Sequence, residues 1–343
     1  MPKEKLSTQM RRRKAPEKEP TDLRGNDGPA ISTGSTLLDL AISGGRFKNG
    51  GLPGGVLVEI FGPSATGKTV LLSEIAGNVQ RKGSEVEFYD PEGRLNKAFA
   101  LINGLDVDSV LYSAPNTIAD VFRPIQKWSP ETKEYPHGIF ADSLAALTTE
   151  WDEDDKDAYG MRRAKEFSEH LRRVCRVLPD RNILLVCSNQ VRVNVNAGPY
   201  SPKYKSPGGE AIGFYSSVRL RTVLKKKLKR KKRVRGKEHE HVIGVEIEVE
   251  VFKNSVWKPF HKAPVYIDFE YGVDDVKANL QFLKSNTKAG KYSVGEVDLG
   301  TSLERACELA EEQKLERKLK REVIKLWNEI EAAFSTTRTK RRV

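Results

Sequence analysis

The segment Gly62–Thr69, GPSATGKT, constrains the fold of this chain more than any other. It satisfies the spacing G-x-x-x-x-G-K-T and lies where an apolar run, GVLVEIFG, gives way to a helical pattern opening near Lys68. A strand that turns through glycines directly into a helix leaves successive backbone N–H groups facing one point, at the positive end of that helix. Such a point holds phosphate. On this chemistry Gly62, Pro63, Ser64, Ala65, Thr66, Gly67 and Val70 form the cradle for a nucleotide. Lys68 reaches the β- and γ-phosphates of ATP, and the Thr69 hydroxyl holds Mg2+.

The surrounding pattern agrees with a strand–turn–helix context. EVEFYD, SVLYSAP, HGIFADS and NILLVCSNQ read as further strands, alternating with helical stretches such as IADVFRPIQKW and YGMRRAKEFSEHLRRVCRVL. Alternation with short joins predicts an α/β fold with a mainly parallel sheet covered on both faces. YSSVRLRTVL, VIGVEIEVEVFKN and APVYIDFEYG then extend the sheet as antiparallel hairpins at one edge. Three regions result: a flexible basic arm over residues 1–30, a core over 31–273, and a small, mostly helical part with a basic tail over 274–343. Within the core, ISTGSTLLDLAI reads as a cap and a short apolar helix.

An ion held by Thr69 needs a second anchor at the end of another buried strand. Asp142, followed by Ser143 in GIFADS, supplies it. Hydrolysis also needs a group to orient or deprotonate water. Asp90 and Glu92 end the VEFYDPEG strand and would flank the phosphate loop if the two strands are neighbours; a solvated turn is the other reading. Asn189 and Gln190 end a third strand, either to sense a γ-phosphate or to cap a loop.

Of the 343 residues, 38% are hydrophobic and 31% charged, enough for a core in a soluble protein. No apolar run approaches the roughly 20 residues that cross a bilayer, and no signal-like apolar centre follows the N-terminus. Cys175, Cys187 and Cys307 have no metal-ligand or disulfide spacing, so a reducing cytoplasm is expected. The net charge of +12 favours a polyanionic partner.

The ordered set ISTGSTLLDLAI, GGLPGG, VEIFGPSATGKT, YDPEGRLN, ADSLAAL, SNQVRVN, GGEAIGFYSSVRLR and FKNSVWKPF resembles the RecA strand-exchange recombinases over about residues 31–274. Its divergence and basic insertions look more like a phage-encoded member, active in a phage-infected bacterial cell. The resemblance implies that Glu92 activates the attacking water, that Asp142 meets Mg2+ through water, and that Gln190 reports the γ-phosphate to a DNA loop behind it. Asn96 and Phe99 would lie beside the adenine. Single-stranded DNA would meet two loops. The first, TTEWDEDDKDAYGMRR, is acidic except at its end, where Arg162 and Arg163 lead to Lys165 and Arg172. The second, VRVNVNAGPYSPKYKSPGGE, offers Arg192, Lys203 and Lys205 to phosphates and Tyr200 and Tyr204 to bases, with Gly208 and Gly209 completing the set. Homologous double-stranded DNA and further copies of the chain, in a helical filament, are the other implied partners.

Two departures stand out. In the family a neighbouring subunit presents two lysines to the γ-phosphate; Lys253 matches the first, but Ser255 replaces the second. A third interface lysine falls at Gly213, although Phe214 and Arg219 are kept. Fewer cations around a transition state that spreads negative charge imply slow hydrolysis. The first 30 residues also lack a convincing amphipathic helix for the filament contact.

One further stretch, KKKLKRKKRVRGK, places ten basic residues in thirteen between two expected strands and reads as a projecting hairpin tip. It is either a solvated tip or a second DNA site. Two other activities share the same core pattern: a ring-forming motor or helicase-like ATPase, and an ATP-switched coat for single-stranded DNA with little catalysis.

Overall fold

The computed structural model describes residues 28–150, 156–193, 204–205, 211–336 and 338. Residues 1–27, most of the acidic loop, and Tyr200, Lys203, Gly208 and Gly209 of the second DNA loop lie outside them, as does the end of the basic tail.

Along the chain run β1 (Ala30–Ile31), α1 (Thr36–Ser43), β2 (Leu52–Pro53), β3 (Leu57–Gly62), α2 (Lys68–Gln80), β4 (Val86–Tyr89), α3 (Lys97–Ile102) and β5 (Leu111–Ser113). There follow α4 (Ile118–Lys127), β6 (His137–Ala141), α5 (Lys156–Val177), β7 (Ile183–Gln190), β8 (Arg192–Val193), β9 (Tyr204–Lys205) and α6 (Ala211–Tyr215). The rest comprises β10 (Val218–Val234), β11 (Lys237–Asn254), β12 (Lys262–Asp268), β13 (Gly272–Val273), α7 (Asp275–Asn286), β14 (Tyr292–Val294), β15 (Val297–Gly300), α8 (Leu303–Glu312) and α9 (Glu316–Ala333).

Nine strands form the central sheet in the order β13-β12-β11-β10-β3-β7-β6-β4-β5. The six from β10 to β5 are parallel, and β11, β12 and β13 continue the sheet antiparallel. The architecture is thus the expected α/β sheet with antiparallel hairpins at one edge.

Strands buried on both faces must be apolar at every position, and β7 displays the division of labour. Leu184 and Val186 join the layer that holds Leu38 of α1 and Leu71 and Ile75 of α2. Ile183, Leu185 and Cys187 face Phe122 of α4 and Phe167 and Leu171 of α5. The short helix α1 begins at Ser35, whose side chain accepts from Leu38 N–H, as its sequence suggests.

The segment after 274 packs on the first of these layers. Thr36 donates its backbone N–H and its hydroxyl to the Asp275 carboxylate, both at 2.7 Å. Trp327 of α9 lies against Trp257, with ring centroids 5.4 Å apart. This segment is not wholly helical, because β14 and β15 form a two-stranded hairpin whose Val294 and Leu299 are buried. Its two short strands carry too few residues for a clear period of two.

Candidate nucleotide and DNA site

The phosphate loop hangs between β3, in mid-sheet, and the first turn of α2. Ala65 (φ 57°) and Gly67 (φ 76°) take left-handed backbone, which curls the chain around the helix N-terminus. Its neighbours demand glycine at both ends. A Cβ on Gly62 would stand 2.3 Å from Thr222 Oγ1, and one on Gly67 2.5 Å from Ile267 Cδ1. The loop is braced from β10: Thr66 Oγ1 lies 2.7 Å from Thr222 Oγ1 and donates to Pro63 O at 2.8 Å. Thr222 escaped the sequence reading, though a threonine inside VRLRTVL that must be buried was a usable signal. Lys68 Nζ donates to the carbonyls of Pro63 (2.7 Å) and Gly62 (3.2 Å), so its ammonium lies over the loop.

The acids converge on that lysine. Burial lowers the Lys68 pKa, while the carboxylates of Asp142 and Glu92 oppose the change. Asp142 follows β6; its carboxylate accepts from Ser188 Oγ of β7, and its N–H donates to Tyr89 O at 2.9 Å. Thr69, the next residue of α2, is half-buried, and its hydroxyl together with the Asp142 carboxylate is a hard-oxygen donor set of the kind that suits Mg2+. The two carboxylates that end β4 divide. Asp90 is buried and accepts from Leu95 N–H (2.7 Å) and Tyr112 OH (2.9 Å), so it builds the turn. Glu92 is the one directed to Lys68, and it also pairs with Arg94 at 2.6 Å. Strands β3 and β4 are not neighbours, since β7 and β6 separate them. Glu92 acts on Lys68 from the loop beyond its strand.

Gln190 pairs in register with Gly62, and its side-chain amide donates to Ser64 Oγ at 2.5 Å. Val191 N–H donates to Gly62 O at 3.3 Å. Asn189 points the other way, donating to the buried Glu59 carboxylate at 2.9 Å, so the two amides do not act as a pair. Asn96 caps α3, accepting from the N–H groups of Ala98 and Phe99, while half-buried Phe99 packs on the core.

Comparison with known proteins addresses the whole of this arrangement. A family profile, the RecA N-terminal domain, matches residues 22–274. The chain is 33% identical over 289 residues to a Protein RecA of Thermus thermophilus, covering 82% of this chain and 81% of that one. It is 30% identical over 291 residues to Protein RecA of Wolinella succinogenes (83% and 79% covered) and 33% over 294 residues to one of Helicobacter pylori (83% and 80%).

The chain belongs to the RecA family.

That family comprises DNA-dependent ATPases of recombination and repair, and no helix among the described residues is long and apolar enough to cross a membrane. In this RecA-family chain the DNA-facing candidates separate into groups. Arg162, Lys165 and Arg172 are exposed along α5. Arg163 is turned inward: its guanidinium donates to the carbonyls of Leu144 (3.0 Å) and Ala145 (2.9 Å) and lies 5.6 Å from the centre of the Phe167 ring. Behind Gln190, Arg192 pairs with Lys205 and Val193 with Tyr204, so β8 and β9 close the base of the second loop.

Lys253 does not join its own chain's phosphate loop. Arg219 stands opposite Lys253 on one side and Glu59 on the other, three residues before Gly62. That is roughly 10 Å along the strands and two spacings of about 4.8 Å across them. Lys253 Nζ donates instead to the carbonyls of Phe214 (2.8 Å) and Gly213 (3.0 Å), and burial together with Arg219 lowers its pKa. Phe214 beside it is 74% exposed, its ring meeting Tyr215 edge-on with centroids 5.1 Å apart. Arg219 is held by Glu59 (2.6 Å) and stacks over Phe61, 4.5 Å from the ring centre. A Cβ on Gly213 would stand 2.8 Å from that guanidinium.

Proposed function

We propose that this protein is an ATP-dependent recombinase that polymerises on single-stranded DNA and promotes homologous pairing and strand exchange in the bacterial cytoplasm. A core over residues 31–273 carries the chemistry, flanked by a basic arm and the C-terminal part. The observation that carries this reading is the Gln190 amide on Ser64 of the phosphate loop, two residues before the β8–β9 pair that closes the DNA loop. A change in the phosphate loop therefore alters the hydrogen bond of the residue that leads into the DNA contact.

In the reaction Glu92 orients and deprotonates the attacking water, and the Lys68 ammonium leaves its carbonyl partners for the γ-phosphate. Thr69 and Asp142 are the groups that would hold Mg2+, and the ion would neutralise phosphate charge there. Lys253, remote from its own phosphate loop, serves the loop of a neighbouring copy, and exposed Phe214 packs in the same contact. With Ser255 and Gly213 in place of lysines, turnover is slow.

The deciding experiment measures single-strand binding with and without a non-hydrolysable ATP analogue, alongside strand exchange and electron micrographs. The expected outcome is nucleotide-dependent binding, helical filaments and exchange. Rings in the micrographs would identify a motor instead, and filaments without exchange a coat. Affinity for single strands that ignores ATP would remove the reading.

A further inference from the structure

Glu59 lies on β3 three residues before Gly62, and no part of its side chain reaches solvent. A buried carboxylate is costly unless an opposite charge and hydrogen bonds meet it. Glu59 is met from both sides of its strand. Asn189 of β7 donates to one oxygen at 2.9 Å, and Arg219 Nε of β10 donates to the other at 2.6 Å. The Arg219 guanidinium is fixed in turn between two rings, 4.5 Å from the centre of Phe61 and 5.5 Å from that of Phe252.

Register extends this contact at both ends. Glu59 stands opposite the buried thiol of Cys187 on one side and opposite Arg219 on the other, and Arg219 stands opposite Lys253. Side chains alternate along a strand, so Asn189, two residues beyond Cys187, shares their face. Asn189, Glu59, Arg219 and Lys253 thus form a row across four neighbouring strands, β7, β3, β10 and β11. One end adjoins Gln190, whose amide rests on the phosphate loop. The other is the lysine held at the carbonyls of Gly213 and Phe214. The charges that bear on Lys253 oppose one another: burial and the Arg219 guanidinium lower its pKa, and the Glu59 carboxylate raises it.

We propose that Glu59 is a positioning residue for Lys253, carrying displacements of the Asn189–Gln190 strand end across the sheet to the lysine through Arg219. A clamp that only joined β3 to β10 needs no charge. Backbone pairing already joins them over Val218–Arg221, and apolar side chains fill such places as well or better. The carboxylate cannot stay behind when Asn189 moves, because a buried oxygen left without its donor bears the full cost of desolvation. It shifts with the amide or leans on Arg219, and either change alters the field at Lys253. The lysine's two partners are neutral carbonyls, so little holds it against that change. This inference deepens the proposed function, from which it takes the service of Lys253 to a neighbouring copy.

The test follows Lys253 directly in the full chain. Its labelling by an amine-reactive reagent is measured against pH by mass spectrometry, without DNA, with and without a non-hydrolysable ATP analogue. In the parent the analogue should move the labelling midpoint by about 0.5 pH unit, roughly a threefold change in free amine well below it. Asn189→Ala should abolish that response. Glu59→Gln should abolish it too, and should also lower the midpoint without nucleotide, since Arg219 then acts on the lysine unopposed. Phosphate release on single-stranded DNA supplies the second readout. Lys253→Ala should lower kcat by about 100-fold, and Glu59→Gln by about 10-fold through misplacement of the lysine. Combined, the two should cost no more than Lys253→Ala alone, whereas independent roles would multiply to about 1,000-fold. A folded Glu59→Gln with the parent's midpoint, or multiplied losses, overturns the proposal. Should Glu59→Gln not fold, Asn189→Ala decides alone, and an undiminished response to the analogue overturns it. If labelling behaves as expected but Lys253→Ala turns over at the parent's rate, the row stands as a coupling and the assignment of Lys253 to a neighbouring copy's phosphate fails.

Discussion

Restoring a cation at Ser255 should speed hydrolysis, whereas restoring one at Gly213 should not. Ser255 is exposed at the end of β11, and its backbone N–H, bonded to Ser217 O at 2.8 Å, is untouched by a change of side chain. Ser255→Lys should therefore shift stability by no more than about 0.5 kcal/mol. If it places an ammonium near 4 Å from a neighbouring copy's transferring phosphate, the interaction is about 4 kcal/mol at an effective dielectric constant of 20. The γ-phosphate is already charged before transfer, and only the increment in the transition state counts; a third of the interaction, about 1.4 kcal/mol, is a tenfold gain. Gly213→Lys meets a different environment. Its Cβ would stand 2.8 Å from the Arg219 guanidinium, which must move although it holds the fully buried Glu59. Full loss of that partner would cost about 3–5 kcal/mol, and a strained displacement about 1–3 kcal/mol. The assay is steady-state phosphate release on saturating single-stranded DNA, with denaturant midpoints for both variants. Turnover of Ser255→Lys equal to the parent, with filaments intact, would refute the claim that a missing cation limits the rate. A stable, fast Gly213→Lys would refute the packing argument.

Other consequences are equally direct. Glu92→Gln should lower phosphate release by about 100-fold or more while nucleotide titration shows binding retained. Gln190→Ala should bring the stimulation of single-strand binding by ATP toward unity, measured by fluorescence anisotropy of a labelled oligonucleotide. Arg172→Ala should weaken DNA binding and reduce the salt slope by about 1, whereas Arg163→Ala, which strips two carbonyls of their partner, should cost about 1–3 kcal/mol of stability. Burial pushes the Asp39 carboxyl up to about 6, against the opposing effects of Lys320 and of donors from Ser32 and Thr33. The folded state thus holds this proton more tightly than the unfolded one, and the stability it contributes below pH ~4 is lost as pH rises through 6. Unfolding free energies from urea titrations at pH 5 and pH 7.5 should differ by about 1–2 kcal/mol in favour of pH 5 from this group, and Asp39→Asn should remove that share.

Much of this was open to inspection in the chain itself. The phosphate loop is a local motif: glycine spacing, lysine, hydroxyl and strand–helix context all lie within a dozen residues, so no distant contact is needed to recognise it. Parallel strands buried on both faces announce themselves as unbroken apolar runs, as in ILLVCSNQ. The hairpin tip was equally legible, because two strand patterns flank its turn. Harder to see was which of two neighbouring polar residues turns toward the loop. Asp90 and Glu92, or Asn189 and Gln190, differ by one or two positions, and the choice depends on partners from other strands: Tyr112 for Asp90 and Glu59 for Asn189.

The sequence alone thus determined the kind of chemistry, since a curled glycine loop with a lysine and a hydroxyl is a phosphate site wherever it folds. Only the tertiary structure decided the strand order that sets β7 and β6 between β3 and β4, the bracing of Thr66 by Thr222, and the inward turn of Arg163. It also sorted the cations of the β10–β11 hairpin, because register across two strands determines whether a lysine meets a glutamate. Local composition records how many charges a segment has; pairing between segments settles which of them are matched.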